Sequence, residues 1–175
     1  EMFYIEHMDK NHKLLFHGAK SRIEGKLDIH KSRTNNDLGQ GFYTGERYEQ
    51  AISFISGFEK SSVYIFDFKE EGLKGKKYNV NQEWMMTIAY YRGALEEYEN
   101  HPIIKKLIEK SCDCDYIIAP IADNRMFQII NSFIMGEITD EQCKHCLAAT
   151  NLGYQYVFKS DKAIKSLKML ERCYI

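Results

Sequence analysis

Residues 35–44 read Asn35-Asn36-Asp37-Leu38-Gly39-Gln40-Gly41-Phe42-Tyr43-Thr44. A polar approach, a Gly-x-Gly turn and an extended aromatic pair follow one another there. The turn ends a polar stretch, Ser21 to Gly41, that has the composition of a long loop, and long loops inside compact domains are usually functional or disordered. Beyond it, Gly45 to Phe58 has helical spacing, with Tyr48, Ala51, Ile52 and Ile55 on one face. This succession of loop, strand and helix sets the pattern for the rest of the chain.

Working outward, Lys13-Leu-Leu-Phe-His17 is a short apolar strand expected to stop at Gly18, and Met2 to His7 is a second extended run. Ser62 to Phe68 alternates with β-branched and aromatic residues and is predicted as a strand. Asn81 to Tyr98 reads as a helix with Asn81 as N-cap and Glu83 in its first turn. Pro102 suits the first turn of another helix, running to about Lys110. Asp115 to Ile121 is a strand in which Pro120 marks an end or an edge. Asn124 to Met135 and Thr139 to Ala149 form a helical hairpin joined at Gly136. Tyr154 to Phe158 is a strand, Ser160 to Leu170 a helix, and Arg172 to Ile175 a short C-terminal run. The irregular alternation predicts an α+β fold over residues 1–175 as one domain, a split mixed sheet with helices packed outside.

The composition excludes several classes. Of the 175 residues, 44% are hydrophobic and 28% charged, the balance of an ordinary folded domain. A net charge of −1 gives no global pull toward nucleic acid or membrane. No apolar run approaches the roughly 20 residues of a membrane span, and the acidic start EMFYIEHMDK lacks the basic and apolar regions of a signal peptide. A cytoplasmic location is therefore expected, with the five cysteines as free thiols. Cys112-x-Cys114 and Cys143-x-x-Cys146 have spacing that invites zinc, but the second pair falls in a helical pattern and the first leads into a strand, so no metal is expected.

No P-loop, GxGxxG after a strand, HExxH or GxSxG is present. Three pieces carry chemistry instead. Phe16-His17-Gly18 puts an imidazole and a glycine at a strand end. Gly39-Gln-Gly-Phe-Tyr-Thr44 sets Tyr43 behind a glycine turn, and Tyr154-Gln155-Tyr156 opens a late strand with a polar residue. Each alone reads equally as packing or punctuation. Ala122-Asp123-Asn124-Arg125 at a strand's far end is both a helix cap and a usual place for ligand-facing groups.

Together, and in this order, these pieces resemble the ADP-ribosyltransferase fold in its His–Tyr–Glu branch, the diphtheria-toxin and poly(ADP-ribose) polymerase type. The closer similarity is to a bacterial domain of unknown function, family 3990. It is carried by LFHGAKSRI, NNDLGQGFYTGERYEQA, VYIFDF, DYIIAPIADNRMFQIIN and YQYVFKSDKAI, which together span nearly the whole chain. The resemblance implies NAD as substrate, no metal, and His17, Tyr43 and Gln155 as catalytic residues. In it His17 holds a ribose hydroxyl, Gly18 meets the carboxamide and Tyr43 stacks on nicotinamide. It also implies contacts to NAD from Ala19, Lys20, Arg22, Asp37, Gly41, Phe42 and Asp123.

Gln155 stands where the polymerase branch has its Glu. The amide keeps an acceptor oxygen but loses the negative charge that stabilises an oxocarbenium-like transition state. Slow mono-ADP-ribosyl transfer is therefore expected rather than chain elongation, with Asp37 or Asp123 as sources of the missing charge. The implied role is a bacterial toxin or defence effector acting on a protein or nucleic-acid acceptor, with an antitoxin as partner. The alternatives are a weak or inactive module that binds NAD, ADP-ribose or a protein partner, and an interaction protein that meets its partner through an aromatic surface.

Overall fold

The computed structural model describes residues 12–149 and 151–174. The extended run expected over Met2 to His7 lies outside them. In chain order the strands are β1 (His12–Ala19), β2 (Phe42–Gly45), β3 (Ser62–Lys69), β4 (Gly75–Lys77), β5 (Tyr116–Pro120), β6 (Tyr154–Phe158) and β7 (Leu167–Tyr174). The helices are α1 (Tyr48–Ile55), α2 (Gln82–Tyr91), α3 (Pro102–Cys112), α4 (Asn124–Ile134), α5 (Asp140–Ala148) and the single turn α6 (Asp161–Ile164). The strands form one seven-stranded sheet in the order β4-β5-β6-β2-β1-β3-β7. It is mixed: β4 runs parallel to β5 and every other neighbouring pair is antiparallel. The expected α+β class is what the chain adopts.

Alternation along the strands sorts the core onto two faces. On one, Leu14, Phe16, Val63 and Ile65 pack under Ala51 and Ile55 of α1. Further along that face, Ile117, Ala119 and Val157 lie under Trp84, Met85 and Ile88 of α2, Met126 and Ile130 of α4 and Leu147 of α5. The opposite face is aromatic. Leu15, Phe42, Phe66, Phe68, Tyr116 and Phe158 meet there with Ile29 of the long loop and Ala163 of α6. Phe68 stands edge-on to Phe158 with ring centroids 5.0 Å apart, the arrangement that ring quadrupoles favour.

Local signals set most boundaries. Asn81 accepts from the Trp84 N–H, Asp123 from Met126 and Thr139 from Gln142, so each caps a helix as short polar side chains do. Gly136, at φ 77°, ends α4. The Gly136 N–H donates to Phe133 and the Glu137 N–H to Ser132, which satisfies carbonyls that the helix end leaves over.

Four expectations are corrected. The helix predicted over Asn81 to Tyr98 stops at Tyr91, because Gly93 adopts φ 85° and the Ala94 N–H turns back to the Ala89 carbonyl. Only a short 3-10 turn, Glu96–Tyr98, follows it. The helix predicted over Ser160 to Leu170 is just α6, and Leu167–Tyr174 is a strand along β3 with a register shift at Ile65/Phe66. Its spacing suits either period, and the free edge of β3 decides between them. β1 does not stop at Gly18 but continues to Ala19. Gly45 belongs to β2 rather than to the helix that follows.

Candidate functional site

The two flanks of β1 differ. Against β3 it pairs at eight successive positions, from His12↔Lys69 to Ala19↔Ser62. Against β2 it pairs at Phe16↔Gly45 alone. Beyond that pair the strands part, and His17 stands at the opening.

The His17 Nδ1 lies 2.6 Å from the Tyr43 carbonyl oxygen. A carbonyl only accepts, so Nδ1 carries the proton and Nε2 of the neutral ring keeps its lone pair. Burial lowers the His17 pKa and the hydrogen bond to Tyr43 works against it more weakly, so the ring is neutral near pH 7. The imidazole stacks on Phe42 with centroids 4.3 Å apart. A neutral, oriented imidazole with a free acceptor nitrogen is suited to receive a hydroxyl.

Tyr43 is held from below. Its hydroxyl donates to the Gly39 carbonyl at 2.5 Å and accepts from the Leu38 N–H at 3.0 Å. Burial is the main cause that raises its pKa far above the ordinary phenol value, so it stays protonated. The glycine turn is needed for packing. A Cβ on Gly39, at φ 80°, would come within 2.7 Å of the Tyr91 ring, and one on Gly41 within 2.8 Å of the Phe158 carbonyl. Gly41 is therefore covered by β6. Its N–H donates to Ser32 Oγ, while the Gln40 amide donates to the carbonyls of His30 and Ser32. The loop from Asp37 to Gly41 is pinned along its length.

Gln155 pairs with Gly45 across β6 and β2, which puts its side chain on the face of Tyr43 and Val157. It is buried, and its amide nitrogen donates to the Pro120 carbonyl at 3.4 Å. His17, one residue along from Phe16, points to the aromatic face. Tyr43 and Gln155 thus share a face, and His17 reaches them only through the gap between β1 and β2.

The remaining predicted residues are distributed over several elements. Gly18 has no β2 partner, and a Cβ there would lie 2.4 Å from the Ala51 carbonyl of α1, so the glycine lets the helix seat on the sheet. Ala19 and Phe42 are buried in the aromatic face. The Lys20 ammonium rests over the exposed rings of Phe58 and Phe54, at 4.5 and 5.3 Å. Arg22 is exposed. Asp123 caps α4. Asp37 takes a 2.6 Å hydrogen bond from Arg92 Nε. Burial raises the Asp37 pKa while the Arg92 hydrogen bond and charge oppose the rise. Of the carboxylates expected to make good the lost charge, one is matched by a guanidinium and the other holds a helix end.

Two residues that pin the site escaped the sequence reading. Arg92 joins Asp37 to the Ala122 carbonyl and to Asn124, and Lys159 Nζ donates to the Leu38 carbonyl at 2.6 Å. Burial lowers the Lys159 pKa. Gly93 was the available signal for Arg92, since a glycine behind a basic residue commonly ends a helix.

Two cavities, of about 200 and 220 Å³, lie away from the gap, and neither is lined by His17, Gly18, Tyr43 or Gln155. The first is lined by Val80, Pro120, Ile121, Met126 and Tyr154 among others, the second by Ile23, Leu27, Tyr64, Phe66 and Met169 among others. Among the described residues, no group of three or more His, Cys, Asp or Glu is placed to hold a metal, and no helix is long and apolar enough to cross a membrane. Cys143 is buried and donates to Met85 Sδ at 3.2 Å, while Cys112 and Cys146 are exposed.

Residues 14–169 match the model of the family described as Protein of unknown function (DUF3990), and the chain belongs to that family. No curated protein and no solved structure matches it.

Proposed function

We propose that this chain has an ADP-ribosyltransferase-like fold and transfers ADP-ribose from NAD to a macromolecular acceptor. The observation that carries this reading is the parting of β1 and β2 at His17. It leaves a strand edge beside Gly18, which a carboxamide can meet, next to an imidazole whose Nε2 is free to accept a ribose hydroxyl. Because the Gln155 nitrogen donates to Pro120, its Oε1 is the atom left to accept a hydroxyl on the face it shares with Tyr43, across the gap from His17. In the reaction, the bond from the ribose C1′ to nicotinamide breaks, and nicotinamide leaves with the electron pair as a neutral ring. The acceptor nucleophile then attacks C1′ and gives up its proton. The protein contributes orientation rather than covalent chemistry.

The neutral side chain at 155 and the engaged carboxylates at 37 and 123 favour slow turnover. The same features support a second reading, a module that binds NAD or ADP-ribose without turning it over. Nicotinamide release from NAD by the purified protein, with lysate as acceptor and Tyr43→Ala beside it, separates the two. Release that disappears in the variant supports the transferase. A rise in melting temperature with NAD or ADP-ribose but no release supports the binding module, and neither effect removes both.

A further inference from the structure

We propose that Arg92 is a positioning residue that sets Tyr43 relative to Gln155. The inference rests on the transferase reading above. Arg92 caps the C-terminal end of α2, and its side chain is 18% exposed. Its guanidinium stacks over the Phe127 ring, 4.8 Å from the centroid, which fixes the plane of the fork. Three donors leave that plane in two directions. Nε meets Asp37 Oδ1 at 2.6 Å, while Nη2 meets the Ala122 carbonyl at 2.9 Å and Nη1 meets Asn124 Oδ1 at 3.3 Å.

Those partners lie on the two segments that hold the two candidate residues. Asp37 precedes Leu38 and Gly39, the residues whose backbone grips the Tyr43 hydroxyl. Ala122 lies two residues beyond Pro120, whose carbonyl receives the Gln155 amide. Nothing else among the described hydrogen bonds ties Asp37 to the segment after β5. A planar fork does this with donors on three separate nitrogens, whereas an ammonium presents all its N–H groups from a single nitrogen and cannot span both partners. Misplacing a group by about 1 Å in such a site costs on the order of a hundredfold in rate.

The test uses the full chain, with Arg92→Gln and Arg92→Lys beside wild type. It reads amide hydrogen exchange in residues 37–41 and 120–124, together with kcat and KM for nicotinamide release from NAD. In R92Q both segments exchange faster, and kcat falls at least about tenfold while KM stays within about threefold. In R92K the ammonium keeps Asp37 and releases Ala122 and Asn124, so exchange quickens in 120–124 alone and kcat still falls. Should R92Q fail to fold, R92K decides. Unchanged exchange in 120–124, or full activity in R92K, overturns the positioning role and leaves Arg92 a simple ion-pair partner of Asp37. A wild type that releases no nicotinamide overturns the transferase reading, and with it the catalytic sense of the inference, while exchange alone then judges the clamp.

Discussion

The two flanks of β1 are built from one strand and behave as different materials. Toward β3, eight paired residues are backed by aromatic side chains on one face and by α1 on the other. Toward β2, one pair holds the strands together, and His17 stacks on Phe42 and donates to the Tyr43 carbonyl where the pairing ceases. The first flank resists opening through burial. The second is set by one ring stack and one hydrogen bond. On the proposed function, stability and chemistry fall on opposite edges of the same strand.

This contrast can be broken from the strong side first. Phe66→Ala removes a fully buried ring opposite Leu15 and should lower stability by about 3–5 kcal/mol, read as a fall in the urea midpoint. Gly18→Ala forces a Cβ against the Ala51 carbonyl, and α1 must shift to admit it. A loss of about 1–3 kcal/mol is expected in the same denaturation experiment, and an unchanged midpoint would show that the helix is not seated on Gly18 as described.

On the weak side the effects are smaller and more chemical. Gln155→Glu places a carboxylate against the Pro120 carbonyl in a buried position, which should cost about 1–2 kcal/mol at pH 7. The cost should shrink in acid, where a protonated carboxyl can donate as the amide did. On the proposed function the same variant releases nicotinamide faster than wild type, so a slower Q155E counts against Gln155 as the attenuated catalytic group.

The His17 contribution has a definite sign. Its folded pKa is lowered by burial, so the unfolded chain takes up the proton first as pH falls below the ordinary value of 6.5. The stability that depends on a neutral His17 is present above that pH and is lost as pH falls through the folded pKa. Stability measured from pH 7.5 downward should fall less steeply in His17→Phe than in wild type. Equal slopes would place the acid sensitivity elsewhere. The smallest effect is expected from Lys20→Ala, about 0.5 kcal/mol, because its ammonium rests on exposed rings at the margin of the gap.

Much of this was readable in the sequence, for reasons that are local. Ser62 to Phe68 and Tyr154 to Phe158 alternate strongly enough to be strands anywhere, and Asn81, Asp123 and Thr139 announce helix starts because a short polar side chain satisfies free backbone donors. Gly39-Gln-Gly41 marked the turn behind Tyr43 correctly, although the glycines serve β6 and Tyr91 rather than open space. Leu167 to Leu170 was read as the end of a helix because its apolar residues fit either period, and only β3 lying alongside selected the strand.

The order of the strands, the single pair between β1 and β2, the facing of Gln155 away from His17, and the joining of Asp37 to the β5–α4 junction by Arg92 belong to the tertiary structure. Each depends on groups far apart in the chain meeting in space. Residue type and period carry information over a turn or a strand, and no further; which distant edge a strand meets, and which buried acid a distant arginine reaches, is decided when the core closes.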